Sequence, residues 1–308
     1  MSDPGSARRS GSIDLVGAGF VGLGSLQFGG VVVMGRLASR SDLTVPAYLM
    51  WRFGFAAFLL GLVLVVRRLP PRAAPGEGWK LAALGAAGYA TEAAFFFAGL
   101  EHGSAATVTL LFYTYPVIVL LLSWGFGRGL PGALLGGAVG ATTLGSAVVV
   151  LSGGGVEISE AGVLFALAAA LTFSFYLLGA DHVLRETNSL VGAMYVSASA
   201  SAGLIVFAFV SGQQQLPTHW DQWGPILGAG AFTAGAFVCL FAGLRRLGAV
   251  RTSVIASTEP LNAAILAAIF LGETIRLGTA MGGALILAGA VTASMARVRV
   301  PPAEPPVP

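Results

Sequence analysis

Residues 103–116 read Gly-Ser-Ala-Ala-Thr-Val-Thr-Leu-Leu-Phe-Tyr-Thr-Tyr-Pro, and residues 247–260 read Leu-Gly-Ala-Val-Arg-Thr-Ser-Val-Ile-Ala-Ser-Thr-Glu-Pro. At an offset of 144, Pro116 falls on Pro260, Thr114 on Thr258 and Thr109 on Ser253. Further along, Leu-Leu-Gly-Gly-Ala (134–138) matches Ala-Met-Gly-Gly-Ala (280–284) at an offset of 146. An ordered series of matches at a nearly constant offset marks a duplicated unit. Both copies lie in long apolar runs, so the unit is a set of apolar helices.

Composition says where those helices live. The chain has 308 residues, of which only 10% are charged, and a mean hydropathy of +0.82. A soluble domain carries about 25% charged residues, so lipid must cover this surface. In hydrocarbon every backbone polar group needs an internal partner, which leaves helices or a closed barrel. The runs are continuous rather than alternating, which excludes a barrel. A span takes roughly 20 apolar residues, and ten fit: 16–34, 45–66, 79–100, 105–123, 131–151, 161–179, 190–210, 223–243, 250–270 and 277–295. The breaks carry turn chemistry, as in Arg67-Arg68 before Pro70-Pro71, Gly153–Gly155 and Gln213–Pro217.

The basic residues orient the chain. With the N-terminus in the cytoplasm, the inner segments hold Arg8, Arg9, Arg67, Arg68, Arg72, Lys80, Arg128, Arg185, Arg245, Arg246, Arg251, Arg297 and Arg299, and the outer ones only Arg36, Arg40 and Arg276. Arg52 lies within a span. Both termini are therefore expected inside. The connection before span 4 carries Glu101 and His102, while its equivalent before span 9 carries Arg245 and Arg246. Five spans per unit place equivalent loops on opposite faces, and this sign difference follows. The expected fold is an all-α integral membrane protein with ten transmembrane helices as two inverted five-helix repeats. Its parts are a cytoplasmic tail (1–15), a first repeat (16–151), an extracytoplasmic linker (152–160), a second repeat (161–296) and a Pro-rich cytoplasmic tail (297–308).

The stretch Leu100–Pro116, and Gly243–Glu273 with its Ser-Thr-Glu-Pro-Leu and Phe-Leu-Gly-Glu, resemble the fourth- and ninth-helix patterns of the EamA-type branch of the drug/metabolite transporter superfamily. Span count, duplication and loop lengths extend the resemblance over nearly the whole chain. One departure is Gly127-Arg128 in the first half, where the second keeps Gly272-Glu273; a basic residue suits the inner face. The resemblance implies a carrier in a cell membrane, bacterial inner membrane or plasma membrane, moving small metabolites, often outward. It also implies a central cavity lined by helices 1, 3, 4, 6, 8 and 9.

Ionisable residues inside spans are costly and mark cavities or pathways. Glu92 is mid-span, on a face with Gly85, Tyr89 and Phe96, and reads as a cavity carboxylate or as a structural acceptor for Arg52. Glu259 precedes Pro260, whose missing donor bends the helix, and reads as structural or path-lining. Thr109–Tyr113–Pro116 and Ser253–Ser257–Pro260 share one spacing on equivalent helices, and such hydroxyl faces suit a midplane site. Ser25, Gln27, Thr172, Ser174 and Tyr176 are further lining candidates. Arg52 is expected to snorkel beside Trp51, and Arg251 to report topology alone. The glycines of helix 5 (Gly132, Gly136, Gly137, Gly140) and helix 10 (Gly278, Gly282, Gly283, Gly289) suit close packing in a monomer, with a homodimer contact as the alternative.

A secondary transporter with alternating access fits best, working on amino acids or other neutral or zwitterionic solutes. Proton-coupled efflux of hydrophobic or cationic compounds is the alternative. No Walker motif points to ATP. An intramembrane enzyme would need a His within a span or clustered metal ligands, and the sequence offers neither. His102, His182 and His219 fall in connections, and Cys239 stands alone. A small multidrug-type exchanger would need an acid in the first span, but Asp14 precedes it. No cofactor, metal or nucleic acid is expected; the partners are solute and lipid.

Overall fold

A computed structural model describes residues 14–127, 132–153, 158–184, 186–272 and 274–296. The Arg8-Arg9 and Pro-rich tails, Arg128, Glu157, Arg185 and Glu273 lie outside the described residues. Among the described residues ten helices are long and apolar enough to cross a membrane. They are α1 (Leu15–Ala38), α2 (Val45–Val66), α3 (Gly78–Glu101), α4 (Thr107–Gly125), α5 (Ala133–Leu151), α6 (Glu160–Val183), α7 (Ser189–Val210), α8 (Trp220–Leu247), α9 (Ala249–Leu271) and α10 (Leu277–Met295). Among the described residues the only strand-like feature is one antiparallel bridge, Gly103 to Ile158.

Local chemistry sets the ends. Asp14, Ser104, Ser159 and Asn188 cap α1, α4, α6 and α7 by accepting backbone N–H groups, which satisfies donors a helix start leaves open. His219 and Gln222 close a capping box on α8. Gly272 ends α9 in the left-handed region at φ 68°, which a residue without Cβ adopts freely. α6 runs to Val183, so His182 lies in its last turn rather than in a connection.

Two helices are broken where proline removes a donor. The fourth, whose helix begins at Ala105 just ahead of the span, divides into α4a (Ala105–Phe112) and α4b (Tyr115–Gly125), and the ninth into α9a (Ala249–Ala256) and α9b (Glu259–Leu271). Pro116 and Pro260 sit in the first turn of each second segment, the position proline tolerates best. α3 contains a π turn, Leu84–Tyr89, a distortion often found at functional sites.

The helices pair across the two halves: α1 packs along α8, α3 along α6, α2 against α7 and α5 against α10. Small residues allow this closeness. A Cβ on Gly145 would meet the Gly282 carbonyl at 2.6 Å. One on Gly24 would meet the Ala236 carbonyl at 3.1 Å. By contrast, Gly132, Gly136, Gly137 and Gly140 have open space around them, so α5 packs closely at Gly145 instead, while the expected glycines of α10, Gly278, Gly282, Gly283 and Gly289, are all in close contact. The outer surface is apolar: Phe58, Val65, Leu144, Leu164, Val210 and Phe270 are all more than half exposed.

Equivalent loops are also tied to the opposite half. In the α1–α2 loop, Thr44 donates its hydroxyl to the Gln213 carbonyl (2.6 Å) and its N–H to Gln215 Oε1 (2.7 Å). In the α6–α7 loop, Thr187 donates to the Glu77 carboxylate and accepts from the Ala74 N–H (3.0 Å).

Candidate functional site

The breaks in the fourth and ninth helices bring polar groups to the middle of the bundle. Pro260 has no N–H to offer the carbonyl of Ala256, four residues back. The Ser25 hydroxyl of α1 takes that place, donating to the Ala256 carbonyl at 3.2 Å. Ser25 Oγ also accepts from Thr258 Oγ1 (2.7 Å) and Asn262 Nδ2 (3.3 Å). Ser25 is thus buried as the polar pin of the break. Gly29 lets α1 come this near, since a Cβ there would meet the Ala263 N–H nitrogen at 2.9 Å.

α4b and α9a meet at the other side of the breaks. The Tyr115 hydroxyl donates to the Ser253 carbonyl at 3.3 Å, and Ser174 of α6 donates to the Tyr115 carbonyl at 3.3 Å. Ser257 donates to the same Ser253 carbonyl at 2.9 Å, and Ser253 Oγ to that of Val250 at 2.8 Å. Both serine hydroxyls are therefore used within α9, although Ser257 also lies beside Tyr115. Ser253, Ser257 and Tyr115 are buried, whereas Glu259, Asn262 and Thr109 remain partly accessible.

A charged set lies beside these breaks. Arg52 of α2 is 8% exposed and Glu92 of α3 is 7% exposed. Glu92 lies within electrostatic reach of both Arg52 and Glu259, and Glu259 also faces the Tyr113 hydroxyl. Tyr89 stands among all three charges. Taking each ion out of water costs several kcal/mol unless the charges compensate one another, so this grouping of one guanidinium and two carboxylates is not incidental packing.

Aromatic rings wall the set. Tyr89 contacts Phe53, Tyr176 and Phe237 at centroid distances of 5.0, 5.7 and 5.6 Å. Tyr176 stacks on Phe173 (5.7 Å), which meets Tyr115 edge-on at 4.9 Å. The Arg52 guanidinium carbon lies 4.4 Å from the Phe53 ring centroid and 6.0 Å from that of Tyr48. A desolvated cation–ring contact is worth about 2 kcal/mol.

Several sequence expectations change here. Arg52 does not snorkel; its side chain is buried against rings and within reach of two carboxylates. Arg251 does more than report topology. It is buried and donates to the Ala293 and Ser294 carbonyls at 3.0 and 2.7 Å, satisfying acceptors that the end of α10 leaves open. Gln27 spends its amide on the Leu23 carbonyl (3.3 Å) and Cys239 Sγ (3.6 Å), in the α1–α8 contact. Thr172 lines a groove of about 380 Å³ between α3 and α6 with Trp79, Lys80 and Phe175, on the outer flank rather than in the charged set. Asn262 escapes sequence reasoning, although it stands one turn beyond Thr258. Among the described residues no three His, Cys, Asp or Glu side chains converge on a metal position.

The EamA-like transporter family model matches this chain twice, over residues 15–151 and 160–295. A Bacillus subtilis protein named as the transporter YcbK is 24% identical over 275 residues, covering 85% of this chain and 88% of its own. A Salmonella typhimurium protein named as the inner membrane transporter YicL is 25% identical over 207 residues, covering 65% and 67%. A solved crystal structure superposes with a TM-score of 0.75 at 18% identity, covering 90% of this chain and 98% of that one; this likeness concerns the fold.

Proposed function

Because this chain belongs to the EamA-like transporter family, we propose that it is a secondary transporter carrying small neutral or zwitterionic metabolites, amino acids among them, outward by alternating access. It is a multi-pass membrane transporter. The observation that carries the solute reading is the ring-walled set of Arg52, Glu92 and Glu259, buried where two broken helices meet. Fixed charges of both signs beside apolar walls suit a solute with charged groups and an apolar body. A site for phosphorylated solutes would need more cations than Arg52.

Two features support the mechanism. The pairings α1–α8 and α3–α6 exchange when the halves are exchanged, and so do the loop ties of Thr44 and Thr187; both favour an inverted repeat. The site is closed at the α4b–α9a end, through Tyr115 and Ser253, and accessible near Glu259 and Asn262. One-sided access is what alternating access requires. The surplus of basic residues around the α4b–α9a end favours that end, with both termini, as cytoplasmic.

Proton coupling is a second reading, favoured by two carboxylates facing one guanidinium. Both readings are tested by reconstituting the chain into vesicles and measuring uptake of a labelled amino-acid panel across a pH range. Saturable uptake of an amino acid is expected. A chain that moves no organic solute sinks the carrier reading, and a Glu92→Gln variant with unaltered pH dependence sinks proton carriage by Glu92. The transporter names of the relatives agree with a carrier rather than a catalyst.

A further inference from the structure

One donor of Arg52 is left without an acceptor. Its side chain is more than nine-tenths buried, yet its Nε has no hydrogen-bond partner. The Tyr48 hydroxyl, one turn earlier and also buried, has none either. A guanidinium carries five N–H donors in its plane. Contact with the Phe53 ring, 4.4 Å away, occupies the face of the cation and satisfies none of those donors. Glu92 and Glu259 offset the charge through space, but the Nε–H still lacks an acceptor. Leaving a buried donor unpaired is costly, and the planar fork of arginine matches a carboxylate.

The second pole is on the other side of the set. Glu259 is partly accessible, whereas Glu92 is buried. Tyr113, itself buried, faces Glu259, so the carboxylate at the accessible end is backed by a phenol. Between the poles stand the rings of Phe53, Tyr89 and Phe237.

Resting on the transporter reading above, we propose that Arg52 is the receptor for a carboxylate on the transported solute, while Glu259 with Tyr113 takes its ammonium group. The solute class is then an α-amino acid with an apolar side chain, rather than an organic cation or a simple organic acid. Glu92 stays as the resident counter-charge of Arg52.

Three probes of one carbon skeleton test this: phenylalanine, phenethylamine and 3-phenylpropionate. Binding of each to the full-length chain in detergent is measured by calorimetry. Wild type should bind phenylalanine at least about tenfold more tightly than either probe lacking one charged group, as charge-assisted hydrogen bonds imply. Arg52→Gln should weaken phenylalanine at least about tenfold while leaving phenethylamine within about twofold. Arg52→Lys, which keeps the charge but loses the fork, should fall between. Should Arg52→Gln not fold, the wild-type comparison decides by itself. Phenethylamine binding wild type as tightly as phenylalanine, equal weakening of all probes by Arg52→Gln, or no binding of any probe would each overturn the assignment. Vesicle uptake of the same probes separates the two levels. Transport led by phenethylamine or 3-phenylpropionate overturns the role of Arg52 and leaves the carrier reading standing.

Discussion

The Tyr115 hydroxyl of α4b donates to the Ser253 carbonyl of α9a at 3.3 Å. This bond joins the two broken helices at the end where the site is closed. A neutral hydrogen bond contributes about 1 kcal/mol net, or about fivefold in a two-state equilibrium. Tyr115→Phe should therefore open that end more often. With Cys239→Ser removing the native thiol, a Ser257→Cys reporter should react about fivefold faster with a small thiol reagent when Tyr115 is Phe. An unchanged labelling rate would show that Tyr115 does not latch this end.

Ser25 and Pro260 should be energetically coupled. Ser25 serves the Ala256 carbonyl only because Pro260 cannot. Ser25→Ala should lower the stability of the purified chain by about 1–3 kcal/mol. In a Pro260→Ala background, where an N–H is restored, the loss should shrink by at least about 0.5 kcal/mol. Thermal unfolding of the four variants gives the coupling, and strictly additive losses would contradict it.

The glycines divide into two sets with opposite forecasts. Gly145→Leu drives a side chain into the Gly282 carbonyl and the Ile286 backbone, and overpacking should cost about 1–3 kcal/mol or more. Gly137→Leu meets open space and should stay within about ±0.5 kcal/mol. Chemical or thermal unfolding in detergent separates them; equal effects would refute the α5–α10 packing.

Positions 101 and 245 should face opposite sides of the membrane. Single cysteines there, in a Cys239→Ser background, should react with an impermeant thiol reagent from opposite sides of oriented vesicles. Labelling from one side would contradict the inverted repeat.

Asp14 gives a pH dependence at the end of α1. Burial raises its carboxyl, but the Gly17 N–H and the Arg246 guanidinium outweigh that and hold it below the ordinary carboxylate range. Arg246 Nε lies 2.9 Å from Asp14 Oδ2. A carboxyl lowered on folding stabilises the protein above its unfolded pKa, and that contribution is lost as pH falls through the folded value. Both side chains are partly exposed, so the effect should stay below about 1 kcal/mol. Asp14→Asn should flatten the acid limb of thermal stability slightly and leave neutral-pH cooperativity intact.

The ten spans are legible from run length to within a few residues, because hydrocarbon thickness leaves little freedom. The prolines at 116 and 260 announce the breaks. The side-chain environments are less legible. Arg52 sits seven residues into α2, where an exposed arginine would snorkel; only tertiary contacts with Phe53, Glu92 and Glu259 reveal its burial. Arg251 reads as a loop charge because its acceptors, the last carbonyls of α10, are some forty residues away. The glycine run of α5 misleads for a related reason, whereas that of α10 packs closely as expected. A run of small residues permits close approach, but which of them face a neighbour depends on the rotation of the helix. Asn262 is missed because its partner Ser25 lies in the other half.

The cross-half pairing of α1 with α8 and of α3 with α6 also dictates the order of biosynthesis. When the ribosome has delivered the first five helices, neither α1 nor α3 has its principal mate. The grooves left by Gly17, Gly24 and Gly29 must wait in lipid until residues beyond 220 are threaded into the bilayer. Maturation is therefore a late event of translation, and a nascent product truncated midway would present an unfinished surface to membrane quality control.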